Sequence, residues 1–138
     1  MAQSYTGIPR GVIRNREYGT QVRDYSGLRF GNITPTDIDG LIEYRNQAYV
    51  IIETKFASAP LPFGQRLALE RLSDDLAKVK PNIVVVCSHH NEADIDVANA
   101  VVSEFRWKAR WNVPETETTA GDLVHRFVKW VDCEWQAG

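Results

Sequence analysis

Cysteine is scarce in this chain and long apolar runs are missing. With only Cys87 and Cys133, a disulfide framework of the kind that staples small secreted domains is excluded. No stretch approaches the roughly 20 consecutive apolar residues of a membrane-spanning helix, and the first residues contain no signal-peptide hydrophobic region. An excess of positive charge is also missing. A net charge of −2 argues against a protein that coats nucleic acid along its whole surface. No internal repeat, low-complexity tract, phosphate-cradling glycine loop or Ser-His-Asp order stands out. What is there is ordinary for a globular domain: 43% apolar and 25% charged residues leave no case for disorder or a fibre. The length of 138 residues suits one domain with a normal core. The expected location is the cytoplasm.

The informative stretch runs from Ile33 to Lys55, ITPTDIDGLIEYRNQAYVIIETK. Its second half, Ala48 to Phe56, holds the β-branched block Tyr49-Val50-Ile51-Ile52 followed by Glu53-Thr54-Lys55, a strand that ends in charges. Residues two apart on a strand share a face, so Glu53 and Lys55 point one way and Thr54 the other. The first half, Ile33 to Tyr44, aligns Asp37 with Asp39 by the same rule. Arg45-Asn46-Gln47 between them is short and polar, the length of a hairpin loop. With the turn centred near Asn46, Asp39 comes opposite Glu53 and Asp37 opposite Lys55. Two opposed carboxylates repel and destabilise a bare sheet. A bridging cation reverses that, and a hard divalent ion such as Mg²⁺ takes oxygen ligands from one or two carboxylates, leaving the rest of its shell to water and phosphate. A lysine two residues on is placed to orient a water or to offset charge developing on the phosphate.

An acidic residue opening one strand, then Glu-x-Lys closing the next, resembles the PD-(D/E)XK nuclease superfamily, in particular its RecB-like, VRR-NUC and Holliday-junction-resolvase branches. Asp39 and Glu53-Thr54-Lys55 take the motif positions, and the likeness covers residues 33 to 72. It implies an α/β, restriction-endonuclease-like three-layer core, with a central mixed β-sheet flanked by helices. It further implies Mg²⁺, with Mn²⁺ as substitute, held by Asp39, Glu53 and the Thr54 backbone carbonyl, with Asp37 as reserve ligand. Lys55 then handles the attacking water. Gln65, in PFGQRLALERL, stands where RecB-like members carry a supporting glutamine, and Glu17 where some branches add an N-terminal glutamate. The implied activity is hydrolysis of DNA phosphodiesters in repair, recombination or phage DNA processing, with the host cytoplasm as the location for a phage protein.

Residues 1 to 32 hold Arg10, Arg14, Arg16, Arg23 and Arg29 against two acids, a net charge of +3, which leaves −5 for the rest. Arginine forks match phosphate oxygens, so this segment is either a phosphate-contacting arm or a solvated leader. The expected organisation is one domain over 1–138, with the arginine-rich segment 1–32 and a core 33–138. Beyond the hairpin, Ala57 to Gly64 carries two prolines and a glycine and reads as a loop. Gln65 to Lys80 has Leu67, Leu69, Leu72, Leu76 and Val79 near helical spacing, and Pro81 ends it. Asn82 to Ser88, NIVVVCS, is a continuous apolar run suited to a strand buried on both faces. Strand, helix, strand predicts a crossover that sets this run parallel to the Glu53 strand.

The polar stretch His89, His90, Glu92, Asp94 and Asp96 follows, and its spacing with Cys87 matches no common structural zinc site. It reads as a loop, with His89 or His90 near the strand ends. In FRWKARWN, Arg106, Lys108 and Arg110 alternate with Trp107, Ala109 and Trp111, which on a strand gives one basic face for phosphate contact or for guarding a sheet edge. Within Val97 to Asn112 the alternative is a helix over Ala98–Phe105, which leaves only the later part as strand. Ala120 to Trp135 carries Leu123, Phe127, Trp130 and Val131 at helical spacing. The expected partner is DNA, with a second copy or another protein completing coverage of the substrate. The rival expectation is a catalytically silent module of the same fold that binds nucleic acid or protein, with Asp39, Glu53 and Lys55 as an ion-pair network, an arrangement that tends to cost stability.

Overall fold

The computed structural model describes residues 22–57, 59–90 and 93–135, the last without its side chain. Backbone contacts divide the chain into two compact units, Met1–Pro35 and Thr36–Gly138. In the first, the described part holds a single 3₁₀ turn, Ser26–Leu28, and a tight reversal through Gly31, where Phe30 and Ile33 exchange backbone hydrogen bonds of 2.9 and 3.0 Å. Gly31 has φ +63°, a conformation that glycine adopts without steric cost. Arg23 lies in this unit and is exposed. Arg10, Arg14, Arg16 and Glu17 lie outside the described residues.

The second unit is α/β, with a five-stranded mixed sheet in the order β1-β2-β3-β4-β5. The strands are β1 (Gly40–Tyr44), β2 (Ala48–Phe56), β3 (Asn82–His89), β4 (Val101–Trp107) and β5 (Arg110–Asn112), and the helices are α1 (Phe63–Ala77) and α2 (Ala120–Trp130). β2 and β3 run parallel, joined through α1, and the other neighbours are antiparallel. That is the crossover the sequence predicts. The β1–β2 register is also the predicted one, with Gly40 opposite Ile52 and Tyr44 opposite Ala48. Arg45 and Asn46 close the hairpin at φ 51° and 60°, the sign that a tight hairpin turn with the sheet's own twist demands.

Side-chain alternation sorts the core into two layers. Val50, Val85, Cys87 and Val102 pack against Leu123 and Phe127 of α2, while Ile51, Val84 and Val86 pack against Leu69 of α1 and against Leu61. β3 is buried on both faces from Asn82 through Cys87, as its unbroken apolar run requires. A single helix covers each layer, and the two helices do so differently. Helix α2 docks with an apolar stripe, capped by Thr119, whose hydroxyl accepts the Asp122 N–H at 3.2 Å. Helix α1 buries only Leu69 and Ser73 and leaves Leu72 exposed, and it ends at Ala77, so Val79 of the expected helix lies beyond it, also exposed. Much of its sheet-facing side is polar: Arg66 pairs with Glu104 at 2.6 Å, and Glu70 accepts the Trp111 indole N–H at 2.6 Å.

Three expectations are corrected. The first strand begins at Gly40, so Ile33 to Asp39 is outside the sheet. Residues 105–112 form a hairpin, because Lys108 and Ala109 turn the chain at φ 51° and 65°; Arg106, Lys108 and Arg110 therefore do not share one strand face. Arg106 is 6% exposed and bonds Asp74 at 2.8 Å, so its guanidinium is occupied in docking α1. The segment before β4 is a 3₁₀ turn at Val97–Asn99, and 101–107 is strand. Among the described residues no helix is long and apolar enough to cross a membrane.

Gly121, in the first turn of α2, sits against the Val97–Asn99 turn, and a Cβ there would lie 2.9 Å from the Ala98 carbonyl oxygen. Alanine ordinarily favours a helix over glycine by about 1 kcal/mol. Here the contact with backbone reverses the sign: Gly121→Ala should destabilise by about 1–3 kcal/mol, read as a lower urea midpoint at unchanged m.

Candidate functional site

At the C-terminal end of β2 the chain faces an unusual edge. β1 pairs with β2 only from Gly40 onward, so past Ile52 no strand among the described residues pairs with the β1 side of β2. The Asp39 side chain takes over: its Oδ2 accepts the Thr54 backbone N–H at 2.8 Å and the Thr54 hydroxyl at 3.1 Å. Asp39 thus continues the ladder with a carboxylate in place of a carbonyl. Its own N–H donates to Glu53 Oε2 at 3.4 Å. The residue predicted to open the site therefore stands one place outside the ladder, at the edge of β2, and still meets Glu53.

Glu53 occupies the α1 side of β2 and is 2% exposed, beside Val86 of β3 in the register. Burial first, and the adjoining Asp39 carboxylate second, raise the Glu53 carboxyl to about 7; the Asp39 N–H and the Gln65 side chain pull the other way. Two residues on, Lys55 shares that face. Its ammonium donates to Gln65 Oε1 at 2.8 Å and lies 4.0 Å from Glu53 Oε1. Gln65 is on the first turn of α1, and the loop that delivers it is anchored by Leu61, which is 6% exposed. The structure therefore brings Asp39, Glu53, Thr54, Lys55 and Gln65 into one place. Asp37 is not among them: it lies in exposed irregular chain, and Lys55 is held by Gln65 and Glu53 instead.

The oxygen set has the chemistry of a hard divalent-cation site. In a strand, the N–H and C=O of one residue point to the same edge. The Thr54 N–H faces Asp39, so its carbonyl faces that edge too. Consistent with this alternation, the Glu53 carbonyl accepts the Cys87 thiol on the β3 side at 3.7 Å. Two carboxylates and a carbonyl thus converge where strand pairing has stopped, and two like charges that repel when ionised would be relieved by a cation. Among the described residues no group of three or more His, Cys, Asp and Glu side chains forms a metal cluster. Cys87 is a core residue whose thiol is pushed up to about 11 by burial, then by the Asp39 and Glu53 charges.

Sequence reasoning missed two supports. One is the double grip of Thr54 on Asp39, which follows from the ladder ending one residue after the aspartate. The other is the brace beside Gln65: Arg66 stacks 4.3 Å over the Trp111 ring while pairing with Glu104, itself opposite Val86. A bulge between Val86 and Cys87 reshapes β4 at this level, with the Ser103 hydroxyl bonding the Val86 carbonyl at 3.1 Å. Bulges re-aim side chains next to functional sites. The other candidate phosphate contacts lie elsewhere: the register sets Arg106 level with Val84 and Ile51, and exposed Lys108 and Arg110 lie at and just past the hairpin tip beyond it.

The Glu53 shift fixes a pH dependence. The folded state holds this proton up to about pH 7, whereas an unfolded glutamate releases it near 4.5. Without divalent ions, stability should therefore fall as pH rises through that window, by up to about 3 kcal/mol. Mg²⁺ should restore it at pH 8 and do little at pH 5. Glu53→Gln should flatten the pH profile and remove the Mg²⁺ response; thermal melts in EDTA and in Mg²⁺ measure all three.

No protein-family model, curated protein or solved structure matches this chain.

Proposed function

We propose that this chain is a metal-dependent deoxyribonuclease of the PD-(D/E)XK type, with a restriction-endonuclease-like core. The observation that supports it best is the meeting of Asp39, Glu53, Lys55 and Gln65 at the end of one strand, the first three on a spacing that suggested the same chemistry and Gln65 where the resemblance implies a supporting glutamine. Asp39, Glu53 and the Thr54 carbonyl would hold Mg²⁺ or Mn²⁺. When bound, the ion supplies positive charge against a phosphate and makes a nearby water more acidic.

The chain's own groups do the rest. Thr54 fixes Asp39 through two hydrogen bonds, which sets one ligand before any ion arrives. Burial of Glu53 keeps water away from its carboxylate and strengthens its pull on a cation. Lys55, tethered by Gln65, presents an ammonium on the same face as Glu53, positioned to orient the attacking water or to offset charge on the phosphate as the P–O bond breaks. Gln65 is a positioning residue, since it acts through Lys55. DNA is the proposed partner, and a second copy or another protein would extend the contact surface.

Lys55→Ala should keep the fold, as judged by its melting curve, and lower Mg²⁺-dependent cleavage of DNA by at least about a hundredfold. Gln65→Ala should cost less. Equal cleavage by Lys55→Ala and the parent chain would reject the assignment. Divalent-ion binding without cleavage of any DNA would point to a silent module.

A further inference from the structure

Charge and exposed rings at the candidate site point to its substrate. Residues 33–138 carry a net charge of −5, and two of their arginines are committed to ion pairs within the fold, Arg66 with Glu104 and Arg106 with Asp74. A broad clamp on the phosphates of a duplex draws its affinity from many lysines and arginines. Among its other described basic residues, exposed Lys108 and Arg110 lie at and just past the β4–β5 hairpin tip.

That end offers aromatic surface instead. Phe56 directly follows Lys55 and is 54% exposed, on the opposite face of β2. Phe63 opens α1, two residues before Gln65, and is 81% exposed. A phenylalanine left that open is costly to solvate, and along the chain the two adjoin the residues whose side chains meet at 2.8 Å, Lys55 and Gln65. Phe56 is not loose. It stands beside His89 in the β2–β3 register, with ring centroids 5.8 Å apart and planes at 73°, so one edge is braced while the ring stays open to solvent. Phe63 is held by the backbone of the first helical turn, where Arg66 donates its N–H to the Pro62 carbonyl at 2.9 Å.

Bases in a paired stack hide their faces, whereas unpaired bases can stack on a side-chain ring, and such stacking supplies affinity without phosphate contacts. Resting on the nuclease reading above, we infer that the substrate is DNA with unpaired nucleotides at the cut, with Phe63 and Phe56 as stacking platforms on the two sides of Lys55. The rings then act in specificity: they seat a splayed base so that the adjoining phosphate reaches Lys55. The double helix, whose stacked bases hide their faces, gains nothing from such rings.

The full-length chain is tested with one sequence presented as a duplex, as a single strand, and as a duplex with a short unpaired gap, in Mg²⁺ or Mn²⁺. The parent protein should cut the unpaired substrates in preference to the duplex. Phe63→Ala should lower that ratio roughly 5- to 150-fold, the factor represented by one lost base–ring stack, and Phe63→Trp should restore it. A preference for duplex, or an unchanged ratio in Phe63→Ala, overturns the inference while leaving the nuclease reading intact; so does an unchanged ratio accompanied by a shift from dimer to monomer in sedimentation, which would make the ring an interface between copies. Failure of the parent to cut any substrate is failure of the nuclease reading. Binding then decides the platform separately: fluorescence of a single strand carrying 2-aminopurine, measured in Ca²⁺, should be quenched by the parent and less so by Phe63→Ala. Equal quenching, or none, overturns the platform as well.

Discussion

The structure turns on a hydrogen bond that a side chain makes in place of a backbone. β1 stops at Gly40, and the Asp39 carboxylate accepts the Thr54 N–H that the Ile38 carbonyl would have taken had the strand run on in the same register. One substitution of acceptor has three effects. It satisfies a donor that would otherwise be stranded at a sheet edge. It sets a negative charge against a second, buried one on Glu53. It also leaves the edge open where a continuing strand would have closed it. The charge burial is expensive, and the folded chain answers it by raising the Glu53 carboxyl to about 7.

Helix α1 is also docked largely through polar groups. An amphipathic helix covering a sheet normally seals it with an apolar stripe, as α2 does with Leu123 and Phe127. Helix α1 seals little, with Leu69 as its one well-buried apolar residue. Its N-terminal turn is given to Gln65 and Arg66, and its docking is shared by two arginine–carboxylate pairs, Arg66–Glu104 and Arg106–Asp74. Directional contacts of this kind hold a helix in one rotational setting, which an apolar stripe alone does loosely. The orientation of Gln65 toward Lys55 depends on that setting.

Much of this was legible in the chain. The β1–β2 register followed from a short polar loop with its turn centred near Asn46, and it placed Asp39 near Glu53 without any fold in hand. The NIVVVCS run announced a strand buried on both faces, and the strand-helix-strand order its parallel pairing. What was not legible were the places where local pattern and backbone geometry part. Alternating basic and aromatic residues at 106–111 read as a single strand, because nothing in Lys108-Ala109 advertises a left-handed turn; glycine or asparagine would have. Arg106 then went inward, where Asp74 was waiting 32 positions earlier in the chain, a pairing that no local pattern reveals. Asp37 looked equivalent to Asp39 only while the strand was assumed to start at Ile33.

The β1–β2 hairpin has a consequence for how this protein acquires its structure. Asp39 and Glu53 are 14 residues apart, and the turn between them is tight, so the two carboxylates meet as soon as the hairpin zips. Contacts this local close early. The electrostatic strain at the centre is therefore an early event, encountered before β3 and the helices have contributed their burial. Acid in the medium, and a divalent ion if the proposed metal site holds one, would then accelerate folding as well as stabilise its product, and the kinetics of refolding would carry an imprint of the paired carboxylates.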